Sequence, residues 1–255
     1  MKKIFALLFL LQISIASEVN WDRPNFCPTG DIAEVEKILQ SMTIEEKVGQ
    51  VIMADLDFVV PSDLKKYPLG GILNGGNTSP RGKLKSTPAE WKSLAQEFHD
   101  VSANRGGAEI PVLWGTDAVH GHSNVIGATI FPHNIGLGAT QNTELLELVG
   151  AAVAEEVLAT GLFWTFAPTV TVPQDYRWGR TYEGYSESPE LVAKLGKAFV
   201  YGLQGSGDEF LAENRIIGTA KHFLGDGGTF LGVDQGDTKT DEDSLRYVHG
   251  TSYFA

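Results

Sequence analysis

Apolar and polar positions alternate along this chain in two rhythms. Five short apolar runs stand out: "VIMADL" at 51–56, "GGILNGG" at 70–76, "PVLWGTDAV" at 111–119, "LFWTFAPTV" at 162–170 and "RIIGTAKHF" at 215–223. Each is short, bounded by turn residues and rich in β-branched, aromatic or glycine positions, so each predicts a strand. Longer amphipathic stretches lie between them. Thr43 and Glu46 have the form of a capping box, opening a helix to about Val48. Thr87-Pro88-Ala89-Glu90 joins an N-cap, a first-turn proline and a capping glutamate, which predicts a helix over 88–103. Asn142 or Thr143 opens a long helix to about 159, Ser188-Pro189-Glu190 opens one to about 203, and "TDEDSLRYVHG" starts a last one.

Strands that alternate with helices of this length form βαβ units and a parallel sheet. Such units either spread into a doubly wound sheet or close into a barrel. The polar residues decide between the two. Asp117, the loop of Arg180 and the Lys221-His222 pair each follow a different strand at its C-terminal end, where a TIM barrel gathers its active-site groups. Neither a GxGxxG turn nor a GxxxxGK[ST] loop is present to support a nucleotide-binding sheet. The predicted fold is therefore α/β, a (β/α)8 TIM-barrel-like domain that is incomplete, with about five to six of eight βα units. Stopped there, the strands leave two unpaired edges and an uncovered lumen face. The expectation is the N-terminal part of a longer barrel, cut short.

Charge and the N-terminus narrow the setting. The net charge of −12 argues against nucleic acid or an anionic membrane surface as a partner, since both would repel the chain. Lys2 and Lys3 precede an apolar stretch from Ile4 to Leu11, and small residues follow at Ser14 and Ala16. This predicts a signal peptide over 1–16, too short for a membrane span of about 20 residues. The remaining 17–255 would be the barrel domain, periplasmic or secreted, with no membrane contact after cleavage. Cys27 is the sole cysteine, so no internal disulfide forms.

Four stretches concentrate polar groups beside apolar runs: "GTDAVHGHSN" at 115–124, "DYRWGRTYEGYSE" at 175–187, "KHFLGDGGT" at 221–229 and "GVDQGD" at 232–237. Singly, each has an ordinary reading. Asp117 can cap a turn, Arg177 and Arg180 can stack on Trp178, Glu183 can pair with such an arginine, and Tyr182 and Tyr185 can simply pack. His120 and His122 are spaced i, i+2, which on extended backbone places both on one face and suits a metal pair. Lys221 and His222 are adjacent, so regular strand alternation would point them apart. Both serve one site only if the backbone there leaves strand geometry.

Together, "GTDAVHGHSNVIGATIFPHNIGLGAT", "FAPTVTVPQDYRWGRTYEGYSE" and "AKHFLGDGGTFLGVDQGDT" resemble the N-terminal barrel domain of glycoside hydrolase family 3, in its β-glucosidase and β-glucan exohydrolase group. The resemblance runs from about Ile32 to the end. It implies an exo-acting retaining enzyme that removes glucose from β-glucosides or oligosaccharides. It also implies that Asp117, Arg180, Lys221 and His222 bind the sugar ring. Such groups form charge-assisted hydrogen bonds to neighbouring hydroxyls, and those that strengthen at the transition state assist catalysis. Asp226 stands where the β-hexosaminidase branch carries a loop histidine, so the glucosidase branch fits better. Nothing in the sequence calls for a cofactor.

Retaining hydrolysis needs two carboxyl groups about 5–5.5 Å apart. In the resembled family the nucleophile is an Asp usually followed by Trp, after the Lys-His strand, and the acid/base lies further downstream. None of Trp21, Trp91, Trp114, Trp164 and Trp178 follows an Asp. The chain alone is therefore expected to be inactive, with no catalytic carboxylate of its own. Two other readings stay open. One is a metal-dependent hydrolase on a barrel, using His120 and His122 with Lys221 and His222. The other is a non-catalytic sugar-binding remnant.

Overall fold

Residues 32–255 are described in the computed structural model; the expected signal peptide at 1–16 and Cys27 lie outside them. Five parallel strands pair strictly in chain order: β1 (Met53–Asp55), β2 (Gly71–Asn74), β3 (Leu113–Thr116), β4 (Trp164–Thr165) and β5 (Ile217–Gly218). A doubly wound sheet reverses its strand order at a switch point. Here the order never reverses, so right-handed crossovers place the helices between strands on one side, the arrangement of an arc of a barrel. Among the described residues, five strands stand where a closed barrel has eight, within the five to six that the alternation predicts.

The helices are α1 (Ile32–Ser41), α2 (Ile44–Gln50), α3 (Pro88–Ala103), α4 (Asn134–Ala139), α5 (Thr143–Ala159) and α6 (Pro189–Gln204). Their starts follow the sequence signals. Thr43–Glu46 and Thr87–Glu90 are reciprocal capping boxes, while the Asn142 and Ser188 side chains accept from Leu145 and Leu191 N–H. Two helices are additional to the predicted set, α1 and α4. The expected last helix is a single turn at Glu242–Ser244 that widens into a π-type turn over Leu245–Gly250.

The strands are shorter than the apolar runs that predict them. The run at 162–170 stays apolar after β4 ends because Ala167 and Val170 are buried in the core. Burial, and not the hydrogen-bond ladder, sets the length of an apolar run.

Strand register sorts the two faces. Ile72 and Trp114 lie side by side on the outer face, and α3 covers them with Trp91, Leu94 and Phe98. The Trp114 ring sits 5.8 Å from Trp91 and 5.6 Å from Phe98, centroid to centroid. Met53, Gly71 and Leu113 share the row facing the concave side, where Met53 and Leu113 stay exposed. Helices α5 and α6 pack backbone to backbone through Gly150 and Gly202.

Candidate functional site

The C-terminal ends of the strands bring three predicted residues to one cleft. Asp117 follows β3, Arg180 sits on the long loop after β4, and Lys221 lies beyond β5. All three line a cavity of about 190 Å³ together with Val119, His120, Ser123, His133 and Glu183. Lys221 Nζ donates to Asp117 Oδ1 at 2.6 Å, across 104 residues of sequence. A larger cavity, about 580 Å³, opens between Leu56–Pro61, Arg81, Leu94 and Phe98. It contains none of the motif residues, and its arginine is tied up in an exposed pair with Glu97; the motif residues gather in the smaller cleft.

The backbone at Lys221-His222 leaves strand geometry, and of the two side chains only Lys221 lines the cleft. Regular pairing ends at Gly218, and Lys221 makes only an isolated parallel bridge to Thr169. The Lys221–His222 peptide is cis. Lys221 enters the cleft, while His222 stands behind Arg180, with Nε2 3.0 Å from Arg180 Nη2.

Arg180 does not stack on Trp178. Its Nε and Nη2 donate to the two Glu183 carboxylate oxygens at 2.7 and 2.8 Å, and this carboxylate holds the guanidinium further up from its ordinary value. Arg177 pairs with Asp175, and buried Trp178 donates through Nε1 to Asp234 Oδ1 at 2.8 Å. Both arginines take carboxylates in place of the aromatic face. Of the two tyrosines, Tyr185 is buried, and Tyr182 meets His133 edge-on with ring centroids 4.5 Å apart.

His120 and His122 part company. The strand ends at Thr116, so the i, i+2 rule no longer applies to them. Gly121 between them adopts φ +117°, and a Cβ there would lie 2.0 Å from the Thr129 carbonyl oxygen. His120 faces the cleft, with Nδ1 2.8 Å from the Phe131 carbonyl oxygen and its ring stacked 3.8 Å from His133. His122 is fully buried against Trp91, with Nε2 3.1 Å from Thr160 Oγ1. The metal pair that the i, i+2 spacing would suit is thereby broken, and among the described residues no group of three or more His, Cys, Asp or Glu is placed to hold a metal ion.

The cleft histidine His133 carries no sequence signal beyond its place in "FPHN". Its ring contacts with His120 and Tyr182 place it in the cleft. Burial lowers its pKa, and the His120 ring lowers it further.

Burial also pushes His122 down to about 4. The Thr160 hydroxyl donates to Val157 O, so it accepts from His122 Nε2–H, and the ring is neutral. An unfolded histidine takes a proton near pH 6.5, whereas the folded one resists until about 4. Between those values the unfolded chain holds more protons, so stability falls as pH falls. The expected loss across this window is about 3 kcal/mol. Denaturant titrations at several pH values check it: His122→Gln should flatten this part of the profile relative to wild type.

The N-terminal domain model of glycosyl hydrolase family 3 matches residues 43–255. The chain belongs to glycosyl hydrolase family 3. Among relatives of this family, the lysosomal beta glucosidase of Dictyostelium discoideum is 29% identical over 243 residues, covering 88% of this chain and 29% of that protein. The periplasmic beta-glucosidase of Salmonella typhimurium is 28% identical over 225 residues, covering 86% and 26%. The crystal structure of an exo-1,3/1,4-beta-glucanase from a Pseudoalteromonas species superposes with a TM-score of 0.84 at 51% identity, covering 87% of this chain and 28% of that one. The family 3 chain described here thus spans less than a third of the length of these relatives.

Proposed function

We propose that this family 3 chain supplies the sugar-gripping part of an exo-acting, retaining β-glucosidase that removes glucose from β-glucosides. The observation that carries this reading is the Asp117–Lys221–Arg180 cleft, three complementary charges from three strand ends around one small cavity. Such a set suits a polyhydroxylated ring. The carboxylate accepts from hydroxyls, while ammonium and guanidinium donate to their lone pairs. Asp117, Arg180, Lys221 and His222 are the proposed substrate-binding residues. The names of the beta-glucosidase and exo-beta-glucanase relatives support the substrate class.

The covalent chemistry is assigned to carboxylates outside these 255 residues, because no Asp here precedes a Trp as the family's nucleophile usually does. The expected result is a chain that binds glucose in a calorimetric titration yet releases no chromophore from an aryl β-glucoside. Turnover that disappears on substituting a carboxylate of this chain contradicts the assignment.

Residues 1–16 are proposed to direct the chain across a membrane to the periplasm or outside the cell. The support is the Lys2-Lys3 start, the apolar stretch and the small residues at 14–16, alongside a periplasmic relative. N-terminal sequencing of the mature protein should begin at Ser17; a retained Met1 contradicts it.

A further inference from the structure

A sugar hydroxyl donates as well as accepts, so a cleft that grips a sugar needs open acceptors beside its cations. Most carboxylate oxygens of the cleft are already engaged. Both Glu183 oxygens take Arg180 at 2.7 and 2.8 Å, and Asp117 Oδ1 takes Lys221 at 2.6 Å. His120 lines the same cavity and carries a further acceptor. Its Nδ1 lies 2.8 Å from the Phe131 carbonyl oxygen, which can only accept. Nδ1 therefore carries the proton, and the lone pair of the neutral ring is on Nε2. Among the described residues no hydrogen-bond partner meets Nε2, and the atom is not enclosed, so a ligand in the cavity can reach it.

We infer that His120 is a sugar-contacting residue that determines specificity, accepting through Nε2 from one hydroxyl of the ring in the cleft. The sugar in this inference rests on the proposed function; the Nδ1–H tautomer rests on the Phe131 carbonyl alone. A site built to hydrogen-bond a hydroxyl rejects the analogue that lacks it, because its own polar group is then left unpaired.

The imidazole is fixed before any ligand arrives. Phe131 N–H donates to His120 O at 2.8 Å while His120 Nδ1–H donates back to Phe131 O, so residue and ring are both tied to one partner. Gly121 permits this close return of the chain: at φ +117° it lets the Thr129 carbonyl approach where a Cβ would lie 2.0 Å away. Thr129 N–H in turn donates to the Glu156 carboxylate of α5 at 2.9 and 3.1 Å, which anchors the returning segment to a helix. His133 backs the His120 ring at 3.8 Å and is itself met edge-on by Tyr182. Burial and then the His120 ring lower the His133 pKa, so the backing ring is uncharged at neutral pH. A group held this way loses little freedom when it binds.

Nitrogen-15 NMR of the histidine-labelled 255-residue chain reads the tautomer. Calorimetric titration with glucose and its 2-, 3-, 4- and 6-deoxy analogues reads the contact. Wild type should show His120 protonated on Nδ1, and the analogue lacking the hydroxyl that His120 meets should bind more weakly than glucose. His120→Asn keeps an amide N–H near the Nδ1 position for Phe131 O, but nothing in it reaches the Nε2 position. It should bind glucose about 5- to 10-fold more weakly, the range for one neutral hydrogen bond. It should also stop distinguishing glucose from that one analogue, while its preference over the others persists. A purely structural loss would weaken all the sugars together and leave every preference in place. That result overturns the inference, as does wild-type affinity in His120→Asn or a wild-type His120 protonated on Nε2. Should wild type bind none of the sugars, the sugar reading falls and takes this contact with it; should glucose bind with His120→Asn unchanged, the His120 contact falls alone.

Discussion

Asp117→Ala is expected to remove glucose binding from the cleft, with affinity weakened by about 100-fold or more. The substitution acts twice. It deletes the carboxylate proposed to accept from sugar hydroxyls, and it strands the Lys221 ammonium, which is only 17% exposed and has Asp117 as its ion-pair partner at 2.6 Å. A hydrogen bond to a charged group contributes roughly 1.5–3 kcal/mol, and an abandoned part-buried charge adds its own desolvation cost. Lys221→Met should cost nearly as much, because it leaves Asp117 without its cation. The two losses should not add: in a double-mutant cycle the pair should cost little more than either alone, since both disable one unit. Calorimetric titration with glucose measures all three, with circular dichroism confirming the fold. Unchanged affinity in Asp117→Ala would remove the cleft from consideration.

Gly202→Val is expected to produce the largest loss of stability. A Cβ at this position would lie 2.1 Å from Glu147 O and 2.7 Å from Ala151 N, both backbone atoms of α5. Gly150 on α5 makes the reciprocal approach, with its Cβ 2.4 Å from Phe199 O. No rotamer relieves such a clash; the helices must separate. That opens the seam between Leu146, Val149 and Val153 on one side and Val192, Leu195, Phe199 and Leu203 on the other, all of them buried. Overpacking alone costs roughly 1–3 kcal/mol, and parting the seam should carry the total beyond about 3 kcal/mol, against a typical total of about 5–15. Gly76→Ala is the control, because its Cβ meets nothing within 4 Å and its φ is ordinary; it should change stability by about 0.5 kcal/mol or less. Equal denaturation midpoints for the two variants would show that the helices do not cross at Gly202.

Much of the architecture is written in local pattern. Capping boxes at Thr43 and Thr87 and the N-caps at Asn142 and Ser188 place four helix starts, because a cap involves only residues three positions apart. The parallel arrangement follows from alternation of strands and helices. The cleft residues were readable for a different reason: Asp117, Arg180 and Lys221 each lie in the segment that follows a strand, and parallel strands share one C-terminal end. Regular geometry ends sooner than the pattern does: the strand rule that puts His120 and His122 on one face stops at Thr116. The apolar runs outlast the strands because segments buried in the core are apolar whether or not they pair.

The sequence by itself determined the five strands, most of the helices, the parallel sheet, the family pattern and three polar residues that gather at one rim. Those are consequences of short-range periodicity and of a shared strand direction. Only the tertiary structure decided how these residues divide the work. Lys221 meets Asp117 across 104 residues, and His222 presents Nε2 to Arg180. Such pairings depend on distances between separate loops. Those distances arise from packing and backbone turns that no local pattern of apolar and polar positions encodes.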